Sequence, residues 1–224
     1  MGADLAEFGD DKGGFGKASD PDADAQMAAG TYQEPAGLVT SVLYRLNKPV
    51  IAAVRGAAAG VGATMLLPVD FRLAADGTKF TFPFTRRGIV PEGASSWFLP
   101  RLVGMGKALD WLISGRLITA DEALSSGLVN SLHAAENLME AAHDLARELV
   151  TDVAPISAAL TRQLVYRMAW AATPEQMHKL ESRLVYDTVR GADAVEGVRS
   201  FFERRTPEFP TRVPEGLPDY LPWG

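Results

Sequence analysis

The 224-residue chain has no cysteine, which excludes disulfides, thiolate metal sites and a cysteine nucleophile. Its three histidines, His133, His143 and His178, are scattered and show no metal-ligand spacing. They read as ordinary residues of helices or their approaches, so no metal is expected. Basic residues are in the minority, with 22 Lys and Arg against 28 Asp and Glu and a net charge of -6. A nucleic-acid partner needs a basic face, and none is expected here. No apolar run reaches the roughly 20 residues of a membrane-spanning helix, and the first residues lack a basic-then-apolar leader pattern. A cytoplasmic protein without a membrane partner is the default expectation.

What is present is ordinary for a globular chain: 47% hydrophobic and 22% charged residues. The length suits one domain with a real core, or one domain with a helical appendage. Residues 9 to 30 are rich in Gly, Asp and Ala without hydrophobic period and read as a loop. Leu38, Val42 and Leu46 recur at helical spacing before the stop at Asn47-Lys48-Pro49. Val50 to Val54 is a short apolar run consistent with a strand covered on both faces. Ala63 to Leu67 reads as a short helix ended by Pro68. Val69 to Ala74 and Lys79 to Phe82 read as strands. Helices are expected over Lys107–Ser114, from a Thr119 cap to Gly127, and over Asn137–Val150, Pro155–Trp170, Pro174–Arg190 and Ala192–Arg204. The segment from Thr206 carries five prolines and reads as an extended tail. The fold class is therefore α/β, a strand-turn-helix core followed by helices, with no internal repeat visible.

Two segments carry chemistry. Lys48 to Thr64 reads as a buried strand, a small-residue turn at Gly56 to Gly62, and a helix start. Such a turn lets bare backbone N–H groups point at a developing negative charge, helped by the positive end of the helix. Downstream, Glu92 lies in the run Arg87-Gly88-Ile89-Val90-Pro91-Glu92-Gly93-Ala94-Ser95-Ser96-Trp97. One carboxylate moving a proton beside a stabilised oxyanion outlines an enolate-forming site.

With Gly2-Ala3-Asp4-Leu5, Lys48 to Thr64 and the stretch Gly104 to Val129, the chain resembles the crotonase (enoyl-CoA hydratase/isomerase) superfamily from Gly2 to about Phe209. The resemblance implies a ββα spiral core over residues 1–106, a C-terminal helical oligomerisation region over 107–205, and a tail over 206–224. It implies an acyl-CoA substrate, with coenzyme A part of that substrate and no separate cofactor, and a homotrimer or hexamer. It places the oxyanion-hole N–H groups on Ala3 and Val61. Two fixed donors at an enolate oxygen are what such chemistry needs, since one donor is worth roughly 10²–10³ in rate.

Family hydratases use two glutamates, and their positions fall here on Thr64 and Phe84. Thr64 reads as packing or a helix-turn hydrogen bond, and Phe84 as a wall of the acyl pocket. Glu92 instead resembles the single glutamate of the Δ3,Δ2-enoyl-CoA isomerases, in the same Pro-Glu-Gly-(small)-Ser-Ser run. Gly60, Thr64 and Arg204 are also candidate substrate contacts, Arg204 through a basic position in the last helix that in the family reaches a neighbouring subunit's CoA; Phe201 reads first as packing and second as a lining of the acyl tunnel. Ala6 replaces a usual lysine. Asp4 reads as a turn former and Asp70 as a structural hydrogen-bonding acid.

The leading expectation is a 3-enoyl-CoA isomerase. A 2-enoyl-CoA hydratase is the runner-up, and a non-catalytic acyl-CoA-binding protein the alternative outside enzymes. Measured against the resemblance, the chain starts inside the loop of Ala3, without the family's preceding strands. Exposed sheet edges are then expected, and a chain lengthened upstream is expected to be more soluble and more active.

Overall fold

A computed structural model describes residues 21–168 and 171–223. The chain forms two compact units. One holds the residues up to Tyr44 and Ile51–Ala142, the other Arg45–Val50 and the chain from His143 onward.

Helices α1 (Pro21–Ala28) and α2 (Pro35–Arg45) lead into β1 (Ile51–Val54) and β2 (Ala57–Ala59). Then come α3 (Val61–Thr64), β3 (Phe71–Ala75) and β4 (Lys79–Thr81). A 3-10 turn at Thr85–Arg87 precedes α4 (Ser95–Val103) and α5 (Met105–Ser114). The first unit continues through β5 (Ile118–Thr119), α6 (Ala120–Ser125) and β6 (Ser131–His133). One sheet runs β1-β3-β6, parallel throughout, and the other β2-β4-β5, parallel between β2 and β4 and antiparallel between β4 and β5.

The chain therefore switches sheets twice by the same device. Each switch passes through a glycine with positive φ, Gly56 at 86° and Gly77 at 77°. No atom would crowd a Cβ at either corner, so backbone conformation rather than space requires glycine there. The corners are tied together: Lys79 N–H donates to the Gly56 carbonyl at 3.0 Å, and Thr78 Oγ1 to the Val54 carbonyl at 3.3 Å. This is the ββα spiral that the resemblance implied, a repeat of backbone path that leaves no repeat in side chains. Beneath it lies a core with Trp111, Phe80, Phe82, Leu99 and Ile118 essentially without exposure. Burying each such side chain stabilises by roughly 1.5–3 kcal/mol. Arg72 is also buried, its guanidinium donating to the carbonyls of Leu128 at 2.5 Å and of Val69.

From α7 (Leu138–Val150) the chain is helical, with α8 (Pro155–Met168), α9 (Pro174–Thr188) and α10 (Ala192–Glu203). The proline-rich segment after α10 is not simply extended. Val213, Leu217, Tyr220 and Leu221 pack against Ile156, Leu160 and Leu184. The Tyr220 hydroxyl donates to Asp187 Oδ2 at 2.5 Å beneath the Arg183 guanidinium, and its pKa is pushed up to about 12 by burial and by Asp187.

Several local expectations change. Residues 21–28, read as loop, form a helix with no buried residue. His133 lies in strand β6, its Nε2 hydrogen-bonded to Ser131 Oγ at 2.7 Å. Helix α4 escapes the sequence reading because Pro100 sits inside it. On α2, the apolar residues that flag the helix are on its exposed side, Leu38 at 51% and Val42 at 61%, while Ala36 and Thr40 are buried.

Candidate active site

The Glu92 loop is held by its backbone. The Glu92 carbonyl accepts from the Ser95 N–H at 2.9 Å and from Ser95 Oγ at 2.7 Å, and Ser95 is fully buried. Gly93 and Ala94 then both take left-handed conformations, φ 56° and 55°, before α4 begins. Gly93 is glycine for a second reason. A Cβ there would lie 2.5 Å from Thr64 Cγ2 and 3.3 Å from both Ala36 Cβ and Thr40 Cγ2. The loop thus rests directly on α2 and α3.

A second carboxylate completes the clamp. Glu34 Oε1 accepts from the Gly93 N–H at 2.7 Å, and its Oε2 accepts from the Gly37 N–H at 2.8 Å. Glu34 precedes Pro35, the first residue of α2, so its side chain caps that helix while gripping the residue after Glu92. The sequence reading passes over Glu34 because glutamate is a weak cap former. Its position immediately before a helix-starting proline is the signal that was there to find.

Glu92 itself is half-buried, and its Oε1 is buried with no hydrogen-bond partner among the described residues. Burial first, and then the Glu34 charge, raise its carboxyl above the ordinary glutamate range. Thr64 is fully buried, and its Oγ1 also has no partner among the described residues. Of the two readings of Thr64, packing is what the geometry contains, since its Cγ2 supports Gly93. Phe84 is 3% exposed within the core, its carbonyl accepting from the Arg87 and Ile89 N–H groups.

Val61 opens α3 behind Gly60, whose φ of 52° and ψ of -124° suit only glycine. The Gly60 carbonyl takes the Ala63 and Thr64 N–H groups, each at 2.9 Å, and the Val61 N–H, at the first position of the helix, has no intrahelical acceptor. With four residues, α3 has little dipole to add, and the bare donor is what the turn provides. Ala3, the other oxyanion-hole candidate, lies outside the described residues, as do Asp4 and Ala6.

Beside the clamp is a cleft of about 640 Å³ lined by Glu34, Gly37, Thr40, Tyr44, Trp97 and Phe98. Gly37, Thr40 and Tyr44 lie on one stripe of α2. The three rings meet edge to face, with centroids 4.8 to 6.0 Å apart, and the Arg101 guanidinium lies 3.9 Å over Trp97. None of these aromatics stands out in the sequence.

The remaining two candidates belong to the other unit. Phe201 is 78% exposed and stacked edge-on with Phe202 at 5.7 Å. Arg204 ends α10 in a left-handed conformation with φ 54° and is exposed. Its neighbour Arg205 is occupied by a bidentate pair with Glu196 and a contact to Glu203.

The ββα turns, the glycine turn that opens α3 and the loop carboxylate are the features by which the chain is compared with known proteins. A family profile described as enoyl-CoA hydratase/isomerase matches residues 17–212, and the chain belongs to that family, within the crotonase superfamily. Among its relatives, Enoyl-CoA hydratase ACTT3 of Alternaria alternata is 41% identical over 180 residues, 80% of this chain and 60% of that protein. The 1,2-epoxyphenylacetyl-CoA isomerase of Escherichia coli is 35% identical over 167 residues, 75% of this chain and 63% of that protein. A probable enoyl-CoA hydratase/isomerase from Mycobacterium abscessus superposes with a TM-score of 0.72 at 34% identity, covering 75% of this chain and 68% of that one. The chain thus spans about 60% of the length of the first of these relatives.

Proposed function

We propose that the chain acts on an acyl-CoA thioester as a 3-enoyl-CoA isomerase, with Glu92 as its single proton shuttle. The observation that carries the reading is the Glu92 Oε1, buried and without a hydrogen-bond partner among the described residues, on a carboxyl whose pKa is raised and on a loop that rests on α3, the helix that follows the small-residue turn. An ionised carboxylate left there without a partner is costly and is retained where a reacting group will meet it. Glu92 removes a proton from C2, the negative charge moves to the thioester oxygen, and the Val61 N–H, with Ala3, stabilises it. The same carboxyl then returns the proton to C4, so the double bond moves from C3–C4 to C2–C3. A raised pKa suits a group that must be base and then acid within one turnover. Coenzyme A arrives with the substrate, Arg204 offers a contact to the CoA of a neighbouring subunit, and no further cofactor enters. Gly60 shapes the oxyanion turn, and Thr64 supports the Glu92 loop.

A 2-enoyl-CoA hydratase is the second reading. It is favoured by the presence of a second carboxylate, Glu34, beside Glu92, and by the name of the Alternaria relative. One comparison separates the two. The protein is given 3-enoyl-CoA and 2-enoyl-CoA separately while conjugation and water addition are followed, with Glu92→Gln as control. Isomerisation that is lost by a factor of roughly 10²–10⁴ in Glu92→Gln supports the assignment. Normal turnover by that variant sinks it, and hydration outrunning isomerisation in the parent selects the second reading.

A further inference from the structure

We propose that Glu34 is a positioning residue for the proton transfer, clamping the Glu92 loop to the start of α2 and holding a negative charge against the Glu92 carboxyl. This rests on the reading of Glu92 as the proton shuttle. Both Glu34 oxygens are engaged: Oε1 takes the Gly93 N–H at 2.7 Å and Oε2 the Gly37 N–H at 2.8 Å. The residue gripped on the loop is the immediate neighbour of Glu92, so a shift of Glu34 is transmitted through one peptide unit. Gly93 has no slack, seated against Thr64, Ala36 and Thr40. Catalytic geometry tolerates little displacement, and a misplacement of about 1 Å can cost 10²-fold in rate.

The second effect is electrostatic. The charge acting on Glu92 is that of Glu34, and like charges near one another favour the neutral form of one of them. Among the described residues, burial and Glu34 are the influences recorded on the Glu92 carboxyl. Val61–Thr64 of α3 holds no ionisable side chain. On α2, Tyr44 lines the cleft, and Arg45 ends the helix. In α4 the one ionisable side chain, Arg101, lies over the Trp97 ring. Glu34, with both oxygens accepting from backbone N–H groups, is held fixed while its charge acts on Glu92. It is distinct from the pair of hydratase-type glutamates, whose positions Thr64 and Phe84 are here buried.

The test is to titrate Glu92 directly, by carbon NMR of protein labelled at the glutamate carboxyl carbon, with Glu92→Gln assigning the resonance. Glu34→Gln keeps an acceptor oxygen for one N–H but removes the charge. In it, Glu92 is expected to titrate at lower pH, and kcat for 3-enoyl-CoA to fall roughly 10–100-fold with KM within about twofold. Glu34→Asp, charged but too short to span both donors, is expected to restore the titration more than the rate. An unchanged Glu92 titration in Glu34→Gln overturns the proposal, and so does an unchanged kcat. A fall in thermal stability with neither change would make Glu34 a helix cap and nothing more. Loss of the isomerase reading would show separately, as normal turnover by Glu92→Gln, and the titration would still judge Glu34.

Discussion

Gly93→Ala is the substitution whose cost the structure specifies most fully. Two penalties add. The residue sits at φ 56°, where any side chain is strained, and its Cβ would lie 2.5 Å from Thr64 Cγ2. The left-handed conformation costs a non-glycine residue roughly 1–2 kcal/mol. Forcing a methyl into a packed site costs about 1–3 kcal/mol more. The sum, roughly 2–5 kcal/mol, is a large part of the 5–15 kcal/mol that holds a typical domain together. For a domain of this size it lowers Tm by about 4–20 °C. Thermal and urea unfolding of the variant, followed by circular dichroism, read it directly. Thr64→Ser removes the offending Cγ2, so the double variant should regain part of the steric loss and none of the conformational one. A double-mutant cycle isolates that coupling. If Gly93→Ala unfolds within a degree of the parent, or Thr64→Ser restores nothing, the packing of the loop on α3 is wrong, and with it the placement of Glu92.

Other outcomes follow from the same geometry. Glu92→Gln should cut isomerisation by roughly 10²–10⁴ yet raise Tm at neutral pH. The Glu92 pKa is raised, so the cost of its charge is absent at low pH and fully present above the raised value; a Tm gain that does not shrink on acidification would count against this. Glu122 accepts from Arg116 in a bidentate pair, from Lys107 and from the Trp111 indole, and its pKa is lowered to about 2. Its stabilisation is present above the ordinary carboxylate range and lost as pH falls toward 2. Glu122→Gln should therefore cost about 1 kcal/mol at pH 7 and progressively less below pH 4, and a gap that widens in acid would refute it. Val195, Val198, Phe201 and Phe202 leave an apolar stripe exposed on α10, and light scattering at micromolar concentration should find a trimer or hexamer; a stable monomer would contradict this.

The spiral was legible in part, and for identifiable reasons. Apolar Val50 to Val54 and the glycines around it announce a strand and a turn, and Thr119 announces a cap, confirmed by its acceptance of the Glu122 N–H at 3.2 Å. Strands β2, β5 and β6 are two or three residues long, too short to show alternation, and exist because sheet neighbours recruit them. Helix α4 was hidden by its internal proline. Helix α2 was visible, but the side of it that meets the Glu92 loop was not. Its buried side is Ala36 and Thr40, small enough to admit Gly93, while its larger apolar residues face outward. A hydrophobic stripe finds a helix; it does not find a face chosen for closeness to a backbone.

That close face bears on which chemistry the site supports. Water addition by paired acids needs two carboxyls that can both exchange protons with a reacting molecule. Glu34 stands near enough to Glu92 for its charge to matter, yet each of its oxygens is an acceptor for a backbone N–H. Drawing it into contact with a reacting molecule would give up a bond at the helix start and loosen the loop that carries its neighbour. Glu92, by contrast, has a buried oxygen that no described group engages and a pKa already displaced toward the neutral form. The two carboxylates thus differ in role: Glu34 has both oxygens engaged in holding the backbone, and Glu92 has an oxygen left to gain and lose a proton. A double-bond shift, which needs a single group to act first as base and then as acid, is the reaction that division of labour favours.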